Sequence, residues 1–244
     1  MQSSRSRRAE LERLGAVPFA HRGLHGGDLV ENSAAAIAAA VAKGYGVELD
    51  VRLSRDGEAM VFHDDALGRL TFEEGPVAGR TAAELQAVRF RAGGGPMPRL
   101  SEILALIAGR TPLLVEVKSR EWRATALCVS VARALGGYGG PVGVMSFNPE
   151  VARWFARYEP QVLRGLVVTE HDRRGLRGRI ERPLFLRRAR ADFLAYDIRD
   201  LPSAFPAAAR RRGLPVYTWT VRSEADRARA AAHADQIIFE APPG

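Results

Sequence analysis

Two short stretches of the 244-residue chain place acidic side chains two residues apart in runs that read as strands. Glu48-Leu49-Asp50 lies within Val47–Leu53, and Glu116-Val117-Lys118 closes Pro112–Lys118. Side chains alternate across a strand with a period of two, so Glu48 and Asp50 share one face, as do Glu116 and Lys118. His21-Arg22-Gly23 ends a third run, Val17–His21, and His63-Asp64-Asp65 follows Glu58–Phe62. Where such strand ends converge, three carboxylates, two imidazoles, Arg22 and Lys118 meet. That much charge is costly without a compensating ion. A carboxylate set with open positions suits one hard divalent cation, Mg²⁺ or Ca²⁺, better than Zn²⁺, which favours nitrogen and sulfur. Two histidines can accept and donate protons near neutral pH. Arg22 and Lys118 can hold an anion that bridges to the metal. Hydrolysis of a phosphate ester fits this inventory.

The elements that must position these groups alternate along the chain. Strand candidates are Val17–His21, Val47–Leu53, Pro112–Lys118, Val142–Ser146, Val162–Thr169, Phe193–Asp197, Pro215–Thr220 and Gln236–Phe239. Between them lie helical stretches at Ser33–Lys43, Trp122–Leu135, Pro149–Tyr158, Pro183–Ala189, Ser203–Arg212 and Glu224–His233, several opening on Ser or Pro where caps are favoured. Strands alternating with helices predict a parallel sheet with right-handed crossovers. Eight units in this length match a (β/α)₈ TIM barrel, although a doubly wound sheet uses the same alternation. One interval breaks the rhythm: residues 54–111 hold Glu58–Phe62 as an extra strand, helical stretches at Thr81–Val88 and Ser101–Ala108, and the Gly-rich Ala92–Pro98. They read as an insertion within a single domain spanning 1–244, because no low-complexity linker marks a second one.

Composition narrows the class. Hydrophobic residues make up 46% and charged residues 26%, which is ordinary for a globular protein. Cys128 is the sole cysteine, so no internal disulfide can form. No run approaches the roughly 18 apolar residues of a membrane span, and the N-terminus lacks the apolar core of a secretory signal. A cytoplasmic protein without stable membrane insertion is expected. The net charge is +8, and the 36 basic residues are all Arg except Lys43 and Lys118. Nine of the Arg fall between Arg164 and Arg190 against Glu170, Asp172 and Glu181. A nucleic-acid binder would spread its charge and interleave stacking aromatics. The segment instead reads as solvated surface or as a collar that attracts a small anionic substrate through Arg173, Arg174, Arg177 and Arg179.

The motifs together resemble the glycerophosphodiester phosphodiesterases. They are His-Arg-Gly at 21–23, Glu-Asn-Ser at 31–33, Glu-x-Asp-Val at 48–51, Asp-Gly at 56–57, His-Asp at 63–64, Arg69 with Thr71, Pro-Arg-Leu-Ser-Glu-Ile-Leu at 98–104 and Glu-Val-Lys at 116–118. Ser146-Phe147-Asn148-Pro149 and Tyr217-Thr218-Trp219-Thr220-Val221 extend the likeness through the second half. The resemblance implies a TIM barrel with a small insertion after the second strand. It also implies metal-dependent cleavage of glycerophosphodiesters to glycerol 3-phosphate and an alcohol. By motif, Glu48, Asp50 and Glu116 would hold the metal, His21 would act as base, His63 would protonate the leaving alcohol, and Arg22 and Lys118 would contact phosphate. Trp219 is a candidate substrate contact, with a place in the barrel core as the alternative. Phospholipase D-like cleavage of lysophospholipids is the nearest rival, and a noncatalytic phosphate- or nucleic-acid-binding module the more distant one.

Two positions depart from the family. The usual Asp-x-Pro gives way to Glu240-Ala241-Pro242, a barrel without the last outer helix is expected, and Arg222 stands where Asn is frequent. The helical segment Arg5–Leu14, or a second subunit in a homo-oligomer, is expected to cover the exposed flank. Glu31 and Asn32 precede a helix, where capping or orienting Arg22 stands beside direct contact with substrate as an alternative. His171 and His233 read as surface residues, His25 as a loop residue, and Cys128 as packed and inert.

Overall fold

A computed structural model describes residues 4–93, 95–119, 124–171 and 174–240. Eight parallel strands close into a barrel: β1 (Phe19–His21), β2 (Gly46–Leu53), β4 (Leu113–Val117), β5 (Val142–Ser146), β6 (Leu163–Val168), β7 (Phe193–Asp197), β8 (Val216–Val221) and β9 (Gln236–Phe239). Closure runs through β1, which pairs Phe19 with Gly46 of β2 on one side and with Ile238 of β9 on the other. The predicted extra strand is β3 (Ala59–Val61), antiparallel to the C-terminal end of β2 with Val51 opposite Val61. The ring is therefore a TIM barrel rather than an open doubly wound sheet.

Period-two alternation gives each strand an outer and an inner row. Val47, Leu49 and Val51 face outward and pack with Ile37, Ala40 and Leu104 of the helical shell. The inner row changes character along the axis. Toward the N-terminal end Phe19, Leu114, Phe193 and Tyr217 form an apolar core; toward the C-terminal end the row carries His21 at the close of β1, Glu48 and Asp50 within β2, and Glu116 near the end of β4. Glycines make room where rings meet inside the ring of strands: a Cβ on Gly165 would collide with the Phe193 ring.

The shell comprises α2 (Ala34–Ala42), α4 (Leu100–Ile107), α5 (Ala124–Leu135), α6 (Pro149–Tyr158), α7 (Leu176–Ala189), α8 (Ala204–Arg211) and α9 (Glu224–His233). Of the predicted Trp122–Leu135, residues 122 and 123 lie outside the described residues. α7 begins at Leu176 rather than Pro183, because Pro183 occupies an exposed position inside the helix instead of opening it. Within 54–111, α4 serves as an outer barrel helix. The residues before it, including α3 (Ala82–Gln86), build a separate small core around Met60, Phe62, Leu67, Leu85 and Phe90.

The N-terminal helix, α1 (Ser4–Leu14), does not cover the flank beside β9 as expected. Its last residue, Leu14, is fully buried among Leu114, Phe193 and Tyr217, so α1 closes the N-terminal end of the barrel. Arg7 fastens it by donating to the carbonyls of Pro160 (2.9 Å) and Val162 (2.9 Å) and to Asp192 Oδ1 (3.0 Å), all ahead of β6 or β7. The physical reason is volume: the inner row needs an apolar plug there, and Leu14 supplies it. Among the described residues no helix follows β9. Its outward Phe239 is instead covered edge-on by Tyr45 at 5.0 Å and by the Arg227 guanidinium at 5.4 Å.

Candidate active site

The inner row delivers the chemically loaded residues to one cavity of about 530 Å³ at the C-terminal mouth. Its walls include His21, Glu48, His63, Glu116, Lys118 and Trp219. Oxygens of Glu48, Asp50 and Glu116 lie within 4.8 Å of one another, and all three residues are buried. Glu48 Oε1 has no hydrogen-bond partner among the described residues. Burial, and then the charges of Asp50 and Glu116, push the Glu48 carboxyl well above its usual range; burial raises Glu116 as well. Asp50 behaves differently. Burial opposes its charge, but Lys118 and Arg22 outweigh burial and hold its pKa far down. Lys118 Nζ reaches Asp50 Oδ1 at 3.1 Å and Glu116 Oε1 at 2.7 Å, and Arg22 Nε approaches Asp50 Oδ2 at 3.2 Å.

These observations fit a hard divalent cation. The donor set is all oxygen, one buried oxygen lacks a donor, and a carboxyl is forced toward its neutral form for want of positive charge. Neighbouring groups keep the set in place. Asn32 Nδ2 donates to Asp50 Oδ2 at 3.0 Å while its own Oδ1 accepts the Asp50 backbone N–H at 3.2 Å. The Arg22 backbone N–H donates to Glu48 Oε2 at 3.1 Å from a left-handed conformation with φ +56°, followed by Gly23 at +78°. A Cβ at Gly23 would stand 2.8 Å from the Ala36 backbone, so the turn after β1 requires glycine.

Both histidines are pinned through Nδ1. His21 Nδ1 is 2.6 Å from Glu240 Oε1, and His63 Nδ1 is 2.6 Å from Asp64 Oδ1. With Nδ1–H donating to a carboxylate, Nε2 is the acceptor, and His21 Nε2 lies 3.9 Å from Glu48 Oε2. Burial lowers the pKa of both rings, the carboxylates working against it. Each carboxylate is itself held by arginine: Arg222 pairs with Glu240, and Arg69 with Asp64 and Glu31. Glu31 also accepts from Arg22 Nη1 at 2.8 Å, so it orients Arg22 rather than capping α2, whose cap is Ser33.

The period of two carried one residue beyond β9 marks Glu240 as inward-facing, the one signal in the sequence for its role. The two departures noted above thus meet as the Arg222–Glu240 pair beside His21. Arg52 is a further contributor without a sequence signal; its Nε holds the His63 carbonyl at 2.8 Å. His25 Nε2 is 3.9 Å from Glu240 Oε1, and His21, His25 and Glu240 form a second group of donor atoms within 4.8 Å. Trp219 walls the cavity, edge-on to Phe147 at 5.6 Å, and Lys118 Nζ sits 5.9 Å from the Phe147 ring. Of the collar arginines, Arg174 pairs with Asp200 and Arg177 with Glu181, and Arg179 is exposed; Arg182 of the same segment is buried against Glu170. Arg173 lies outside the described residues. His171 is exposed, His233 is half-buried, and Cys128 is buried with its thiol pushed up to about 12.

Comparison with known proteins gives a consistent assignment. Residues 21–242 match the Glycerophosphoryl diester phosphodiesterase family. A glycerophosphodiester phosphodiesterase of Caldanaerobacter subterraneus subsp. tengcongensis is 28% identical over 235 residues, covering 92% of this chain and 93% of that protein. Among solved structures, an Oleispira antarctica phosphodiesterase in complex with the product sn-glycerol-3-phosphate superposes with TM-score 0.80 at 23% identity, covering 92% of this chain and 93% of the other. A glycerophosphodiester phosphodiesterase from Thermotoga maritima gives 0.74 at 22%, covering 91% and 94%. At these identities the structural likeness establishes the barrel fold.

Proposed function

The chain belongs to the glycerophosphoryl diester phosphodiesterase family and is a phosphoric diester hydrolase; on that premise we propose that it hydrolyses small glycerophosphodiesters to glycerol 3-phosphate and an alcohol, with His21 and His63 exchanging the protons. The observation that carries this reading is the pair of carboxylate-pinned histidines beside three buried carboxylates in one cavity. His21, with Nδ1–H given to Glu240, presents the Nε2 lone pair to the cavity and takes the proton of the attacking oxygen. His63, backed by Asp64, returns a proton to the departing alcohol. Arg22 and Lys118 meet the phosphoryl oxygens and orient the diester between the rings. Glu48, Asp50 and Glu116 would hold one Mg²⁺ or Ca²⁺, which when bound supplies Lewis-acid charge for the phosphoryl group. Trp219 and Phe147 form an apolar wall for the leaving alcohol.

The test is release of glycerol 3-phosphate by metal-stripped protein from glycerophosphocholine, glycerophosphoethanolamine and glycerophosphoinositol, with Mg²⁺ or Ca²⁺ restored. A lysophospholipid is assayed beside them. Metal-dependent release from at least one diester, lost in His21→Ala, is expected. No release from any would overturn the reading.

A further inference from the structure

α7 exposes an apolar ridge that the catalytic reading does not use. Leu176, Ile180 and Leu184, spaced four apart along one helix face, are 74%, 53% and 57% exposed. Beside the ridge, a groove of about 410 Å³ between α7 and α8 is walled by Pro183, Leu186, Phe205 and Leu214, with Arg187 and Arg212 also lining it. Soluble proteins seldom leave large aliphatic side chains aligned toward solvent unless something covers them. Of the nine Arg in residues 176–190 and 204–212, Arg177, Arg188 and Arg210 pair with Glu181, Glu150 and Asp235, and buried Arg182 pairs with Glu170, which leaves the exposed Arg179, Arg187, Arg190, Arg211 and Arg212 as the excess positive charge of this face among the described residues.

We propose that the α7–α8 face docks on an anionic lipid surface, the ridge entering the headgroup boundary and the arginines meeting lipid phosphates. Three exposed aliphatic side chains beside unpaired arginines can enter a headgroup boundary while the guanidinium groups meet lipid phosphates. Charge selects this occupant over a second copy of the chain. A two-fold contact through α7 would set the arginine-rich face against itself, which opposes association. The same ridge argues against nucleic acid, since its centre is aliphatic and offers no stacking platform. α7 follows β6, so Leu176 stands at the mouth end of the barrel. Docking is peripheral, because no described helix is long and apolar enough to cross a membrane. It also stands independently of the catalytic assignment.

The experiment is co-sedimentation of the full chain with vesicles of phosphatidylcholine alone or mixed with phosphatidylglycerol, at low and high salt, beside light scattering in solution. Wild type should bind the mixed vesicles about tenfold more tightly than phosphatidylcholine alone. The double substitution Ile180→Asp/Leu184→Asp should abolish binding, and Arg187→Gln/Arg212→Gln should weaken it while flattening its salt dependence. Hydrolysis of a soluble diester and the circular dichroism melting curve should stay as in wild type, which separates lost docking from lost fold. The proposal falls if wild type ignores mixed vesicles, if it binds both vesicles equally, or if the aspartate variant binds as wild type does. It falls equally if wild type is a dimer that the aspartate pair splits, since a second copy is then the occupant.

Discussion

The two ends of the barrel are built from the same strands and follow opposite rules. At the N-terminal end the inner row is apolar and closely packed, with Phe193 and Tyr217 stacked at 5.0 Å and Leu14 of α1 inserted as a plug. At the C-terminal end the same rows carry His21, Glu48, Asp50, Glu116 and Lys118, with a buried oxygen that has no donor among the described residues and a carboxyl displaced from its usual pKa. Only a few residues of strand separate them. The difference teaches that one end holds the ring shut through volume and apolar burial, whereas the other keeps unfavourable charge in place for chemistry.

The sharpest way to break that contrast is to substitute at each end and ask whether stability and activity separate. His21→Ala is expected to lower kcat/KM by about 10²–10⁴-fold with little change in melting temperature, the range for losing a proton-transfer group. Activity within a few-fold of wild type would remove His21 from the mechanism. At the opposite end Leu14→Ala should cost about 2–5 kcal/mol in urea unfolding, the usual range for a buried leucine, while the folded fraction keeps its turnover. Unchanged stability would show that α1 is not a plug.

Metal binding probes the loaded end without using activity. Saturating Mg²⁺ or Ca²⁺ should raise stability by about 2–3 kcal/mol at a hundredfold excess over the dissociation constant. Glu48→Gln should lose that increment. An equal rise in the variant would place the cation elsewhere.

The smallest effect concerns Glu240. Its hydrogen bond raises the proton affinity of His21 against the lowering by burial. Removing that support in Glu240→Gln must lower the His21 pKa further, so with His21 as the proposed base the acid limb of kcat/KM should move to lower pH. Turnover should fall about tenfold as the tautomer loosens. An unmoved or upward-shifted limb would deny Glu240 its positioning role.

Much of the candidate site was legible because it obeys local periodicity. Glu48 and Asp50 share a face whatever lies around them, and the apolar partners at Val47, Leu49 and Val51 announce a strand covered outside. Other features escaped the sequence for identifiable reasons. The first turns of α7 were hidden by Gly175, Gly178 and the arginine-rich composition ahead of Pro183, and the helix packs through Gly178, Arg182 and Ala189. Arg52 looks like an ordinary polar strand residue until its guanidinium is seen beneath the His63 loop.

The sequence by itself determined the alternation of elements, the inner and outer rows of each strand, and the inventory of carboxylates, imidazoles and cations, because these follow from short-range geometry. Only the tertiary structure decided how the ring closes. Closure sets β9 against β1, so Glu240 orients His21 across 219 residues of sequence, and α1 fills the barrel floor rather than its flank. Such pairings depend on which surfaces meet after the chain has folded, and no local spacing encodes them.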